Sequence, residues 1–262
     1  MNAWAQDSLT DQLKQIDESL PTDSKAILLK AAELVDLLDY MQLHGVAAVA
    51  ADHEQWTQAG FYFIAASMRF KVDAYVNDLT KPKALKEMIS GQSDRQRVKQ
   101  LAFELRKDPI FKKLNQRSQQ ATDLTQNNQL IKLYLLRHSD VLTAATEMYA
   151  LWRPTYSDSY VSVMPSEARL TPSEADQTFA QLNEVYLQSN QDILKLMENP
   201  RYQQLMIEKE QAFIAWSSEV LKSGKFKKDR VSIDQINQGS REIERIEMEM
   251  LLFPETDWGW FR

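Results

Sequence analysis

No cysteine occurs among the 262 residues, which excludes disulfides, thiolate metal sites and a cysteine nucleophile. Glycine and proline are scarce too: the chain has 6 and 8, where average usage supplies roughly 18 and 13. So few turn formers cannot punctuate a many-stranded sheet, and the expected fold is all-α. The glycines stand at 45, 60, 91, 224, 239 and 259, too scattered for a nucleophile elbow, a Walker A loop or a Rossmann fingerprint. Histidine is limited to His44, His53 and His138, none with a Glu three residues before it or a His four residues away. That is the spacing of helical carboxylate–histidine centres, so no metal and no cofactor are expected. A Ser-His-Asp triad, whose members meet only in space, has no local signature. No run of about 18 apolar residues exists, hence no membrane span is expected.

What is present is charge, unevenly spread. The net charge of -6 speaks against nucleic acid as a partner. Residues 1–60 carry 3 basic and 10 acidic side chains, whereas 61–120 carry 13 basic and 6 acidic. Such asymmetry reads either as a surface complementary to a charged protein or as acidic helices packed beside basic ones. At the N-terminus, Ala3-Trp4-Ala5-Gln6 has the small-x-small form of a signal-peptidase site before a polar stretch. Residues 1–5 then read as a leader remnant and the protein as periplasmic; a chance Ala-x-Ala leaves it cytoplasmic.

Apolar periodicity and capping residues lay out about eight to ten helices in one domain spanning 1–262. The opening helix, capped by Ser8 or Thr10, is expected to reach Leu20 and stop at Pro21. The next runs from Ser24 to Leu43, its stripe formed by Ile27, Leu28, Ala31, Leu34, Val35, Leu38 and Met41, with His44-Gly45 as the stop. The stretch 52–77 is the most apolar, nearly all round from 61 to 68, and is assigned to the centre of the fold. Smaller helices follow at 82–89, 94–107 and from Asp108 to Thr125, then a long one over 129–152. Thr171-Pro172-Ser173-Glu174 is a strong helix start; that helix ends near Asn199, where Asn199-Pro200 begins the next, to Ser223. The last spans 232–252 before Pro254. Asp108-Pro109-Ile110-Phe111 and Asn199-Pro200-Arg201-Tyr202 share a cap, a proline and an aromatic, consistent with duplication and equally with two independent capped helices.

Arg69 falls inside the apolar central helix and must find carboxylates or reach water. With His53 and His138 it supplies the polar groups for an inter-helix pocket, should the chain be a helical enzyme or a small-ligand carrier. The run Glu242, Glu244, Glu247, Glu249 alternates with Ile243, Ile246 and Met250 and reads as a solvated helix face. Two segments read as partner-binding surfaces. The 153–170 loop is long for a compact domain and mixes Tyr156, Asp158 and Tyr160 with serines, the composition of adaptable recognition loops. A short hairpin packed on the helices is the alternative for this loop. The tail 254–262 holds Trp258 and Trp260, which either dock on the protein itself or insert into a partner.

The stretch Trp56 to Phe70, with Ala65-Ala66-Ser67-Met68-Arg69 near its end and Lys83-Ala84-Leu85 beyond, resembles a segment of small exported all-helical proteins of proteobacteria. Some of those are thought to be immunity proteins against effectors delivered by neighbouring bacteria, as in type VI secretion. The resemblance implies a non-enzymatic protein that binds a toxic effector. A helical enzyme or carrier, and a structural adaptor of a secretion or envelope complex, are the competing expectations.

Overall fold

The structure is a computed structural model that describes residues 3–78, 121–154, 167–168, 171–225 and 230–253. Nine helices occur among the described residues: α1 Ala3–Leu13, α2 Thr22–Glu33, α3 Tyr40–Asp52, α4 Trp56–Val76, α5 Ala121–Arg137, α6 Ser139–Leu151, α7 Pro172–Met197, α8 Pro200–Lys225 and α9 Arg230–Met250. The expected all-α class is what the chain adopts. Residues 79–120, with the helices expected there and the Asp108-Pro109 cap, lie outside the described residues.

Helix α4 is the hub. Every residue from Ala59 to Ala66 is buried, and α4 packs against α3, α5, α6 and α7. Gly60 allows the closest approach: a Cβ there would stand 2.8 Å from the Cβ of Ala145 on α6 and 3.0 Å from Leu135 on α5. One apolar cluster draws on all nine helices, from Leu9 and Leu13 of α1 to Ile246 and Met250 of α9.

Two helices expected to be continuous are broken. The 24–43 helix stops at Glu33 and restarts at Tyr40, and α3 runs through His44 and Gly45 to Asp52. The break is stabilised by a capping box: Asp39 accepts from the backbone N–H of Gln42 at 2.9 Å, and the Gln42 side chain accepts from the N–H of Asp39 at 3.1 Å. The 129–152 helix is divided at His138, whose φ of -121° and ψ of 79° leave the helical region. The opening helix ends at Leu13, and Leu20 lies in a turn.

Other starts are as the sequence dictates. At the expected start of α7, Thr171 and Glu174 form a capping box with Pro172 in the first turn, and Asn199 accepts from the N–H of Arg201 at 2.9 Å. The inner stripe of α7 is Ala175, Phe179, Asn183, Tyr186, Asn190, Ile193 and Met197, a three-and-four alternation with two amides set into it. Glu167–Ala168 forms a short antiparallel pairing with Asn77–Asp78 at the end of α4, joining the 153–170 segment to the hub helix. This long-range pairing is not the hairpin expected within 153–170, whose residues 155–166 and 169–170 lie outside the described residues.

Candidate functional site

Among the described residues, a buried polar cluster forms where the α2–α3 break meets the second half of α4 and the end of α6. Arg69 and Asp73 stand one turn apart on α4 and are both fully buried. The Arg69 Nη2 donates to the backbone carbonyl of Asp36 at 2.9 Å, and its guanidinium lies over the Trp152 ring, 5.1 Å from the centroid. The Trp152 indole N–H donates to Asp36 Oδ1, also at 2.9 Å. Asp36 thus receives one donor on its backbone and another on its side chain, and the α2–α3 link is tied to α4 and α6 together.

Asp39 sits at the same junction. Burial pushes its carboxyl up to about 6, and the charge of Asp73 adds to the rise. Hydrogen bonds from the N–H groups of Gln42 and Met41, and the charge of Arg69, oppose it. A carboxyl titrating near 6 beside a second buried carboxylate can take up a proton in the mildly acidic range. Its Oδ1 is held by the Gln42 N–H, so the group serves first as a helix cap.

A second polar line runs along α7. The Tyr149 hydroxyl on α6 donates to Asn183 Oδ1, and the Tyr149 and Tyr186 rings meet edge to face. Lys71 stands 5.0 Å from the Tyr186 ring centroid, a cation–π contact. Asn190, 2% exposed, has no partner on either amide atom. The Tyr62 hydroxyl on α4 is likewise buried without one.

Arg69, His53 and His138 occupy different places. His53 ends α3 and shares a hydrogen bond with Ser24 Oγ at 2.7 Å. His138 is exposed at the α5–α6 break and stacks on Tyr134 at 4.1 Å, and Tyr134 in turn stacks on Trp56 at 3.8 Å. Trp56 opens α4 and Arg69 lies thirteen residues further on, about 20 Å along the axis at the helical rise. The Arg69 cluster and the His138 stack are therefore separate sites. Tyr156, Asp158, Tyr160, Trp258 and Trp260 lie outside the described residues.

The carboxylate run on α9 is more engaged than a solvated face. Glu249 accepts from Arg201 Nε at 2.9 Å and Glu247 pairs with Lys209 at 2.8 Å, both bridging to α8, while Glu242 pairs with Arg245 on α9 itself. Of the expected stripe, Ile246 and Met250 are buried and Ile243 is half-buried.

Sequence reading found Arg69 but missed Asp36, Asp39, Asp73 and Trp152 as its surroundings. Asp39-x-x-Gln42 was the readable signal, a capping box inside an apolar stripe. Among the described residues no group of three His, Asp or Glu side chains is placed to hold a metal ion. No described helix is long and apolar enough to cross a membrane. Comparisons with protein-family models, curated proteins and solved structures find no match to this chain.

Proposed function

We propose that this chain is a non-enzymatic, periplasmic protein-binding protein, in its specific form an immunity protein that neutralises a toxic secreted effector. One observation carries the reading. The polar residues that sequence marks out for an internal site are engaged by the fold itself: Arg69 with Asp36 and Trp152, His53 with Ser24, His138 with Tyr134. Interior polarity is used to join helices, which leaves recognition to the exterior. In sequence, Tyr156 and Tyr160 follow α6, and Glu167–Ala168 beyond them pairs with Asn77–Asp78 just past α4. Tyrosine rings give large contact area at low conformational-entropy cost, and Tyr156 and Tyr160 are the contacts this reading assigns.

The test pairs the chain with the product of an adjacent gene that carries a secretion-delivery domain. Co-expression is expected to protect growth. Alanine at Tyr156 and Tyr160 should weaken the purified complex at least tenfold while leaving thermal unfolding unchanged, a loss of about 1.4 kcal/mol or more in binding. Unchanged affinity removes the loop from the reading, and lack of any complex or protection removes the reading itself.

A second reading, a small-ligand carrier, has one observation in its favour: the buried and unpartnered amide of Asn190. Native mass spectrometry decides it, since a carrier shows a bound small molecule that Asn190→Leu releases.

A further inference from the structure

The exit of α9 bears an apolar triad. Met248, Leu251 and Leu252 are 67%, 55% and 80% exposed, and the spacing of three and four residues places them on one face. The opposite face, with Ile246 and Met250, is buried against the core. Three large neighbouring aliphatic side chains at such exposure make a local apolar surface, not a scattered one.

The chain departs from this triad in a defined way. Phe253 packs edge to face on the buried Tyr202 of α8, with 5.3 Å between ring centroids, which anchors the point of exit. Pro254 comes next in sequence, a residue that cannot continue a helix. Glu255, Thr256 and Asp257 then lead to Trp258-Gly259-Trp260-Phe261, three large aromatics that water does not favour. Five residues extend up to about 17 Å, more than the roughly one and a half helical turns, about 8 Å, that separate Phe253 from Met248.

From this we infer that the triad Met248, Leu251 and Leu252 is the docking surface for the chain's own Trp258–Phe261 segment, which folds back over the end of α9. Two apolar surfaces joined by a tether this short meet at a millimolar effective concentration. A weak intrinsic attraction between them is therefore enough, and the intramolecular contact forms ahead of any contact with a second copy at ordinary protein concentrations. The inference does not depend on the effector-binding reading: it concerns which surface the aromatics meet when the protein is alone.

Fluorine NMR on the whole chain labelled with 5-fluorotryptophan tests it. The six tryptophans give six resonances, assigned by single Trp→Phe variants. The Trp258 and Trp260 resonances are expected to be displaced from those of a free peptide of residues 254–262, with no dependence on protein concentration. In the double variant Leu251→Asp, Leu252→Asp both should move to the peptide positions, while the buried Trp152 resonance stays in place and reports an intact fold. Three results would overturn the inference. One is peptide-like positions already in the unaltered protein, and another is displacement that survives the double variant. The third is displacement that grows with concentration alongside a dimer in light scattering, which would make a second copy the occupant.

Discussion

Arg69 and Trp152 meet face to ring in the interior, 5.1 Å from guanidinium carbon to ring centroid, and both donate to Asp36. The two side chains are fully buried, so neither has access to water as an alternative partner. The α2–α3 link, which looks like a helix interior in the periodicity of the sequence, is held open by this pair.

Replacing Arg69 with Ala should therefore cost more than lost packing. The Asp36 carbonyl loses its donor, and Asp39 loses the positive charge that holds its carboxyl down. A destabilisation of about 3–5 kcal/mol is expected, the range for removing one partner of a buried charged group. Trp152→Phe, which deletes only the N–H to Asp36 and part of the ring, should cost far less, about 1–2 kcal/mol. Urea unfolding of the two variants checks the order; equal losses would show that the cluster is held by packing alone.

Gly60 gives a cleaner steric test. Gly60→Ala brings a methyl to 2.8 Å from the Cβ of Ala145, an atom that moves only with its backbone. The substitution gains helix propensity of roughly 1 kcal/mol, yet overpacking of about 1–3 kcal/mol works against it. We expect a net loss in thermal stability. Ala145→Gly in the same chain should recover part of it by removing the obstructing methyl, and a double-mutant cycle measures that coupling. Strictly additive effects would place the strain elsewhere.

The third prediction concerns pH. Asp39 has a folded value raised to about 6 from 3.8, so its contribution is complete below 3.8 and is lost as pH rises through 6. His44, five residues on in α3, is pushed down by burial to about 4 from 6.5, so its contribution is complete above 6.5 and is lost as pH falls through 4. Each group is worth roughly 3 kcal/mol at its limit, and the two run in opposite directions across one window. Stability from this pair should be nearly level between pH 4 and 6.5 in the unaltered chain. His44→Gln should make it rise as pH falls, and Asp39→Asn should make it drop. Urea midpoints taken across the window decide the matter: parallel profiles for both variants would mean that neither group titrates as its surroundings dictate.

Where sequence reading succeeded, a chemical signal stood at a helix terminus. Thr171-Pro172-Ser173-Glu174 and Asn199-Pro200 mark the starts of α7 and α8, because the caps that stop fraying are local in sequence. The central place of α4 was legible from its apolar perimeter. The break before α3 was not, because Ile27, Leu28, Ala31, Leu34, Val35, Leu38 and Met41 keep helical phase straight through it. All but Ile27, Leu34 and Met41 are buried, so the stripe correctly reports burial while concealing the interruption. The partners of Arg69 were beyond local pattern altogether: Asp36 and Trp152 are 116 residues apart and meet only once α2, α4 and α6 are assembled.

The Tyr149–Asn183 hydrogen bond bears on how the molecule can respond to load. It joins two polar groups inside an apolar seam, so an axial slip of α7 past α6 by one turn would strand both in hydrocarbon surroundings. Sliding of the two helices is thereby opposed by the cost of leaving that pair unsatisfied, in addition to the Tyr149–Tyr186 ring contact.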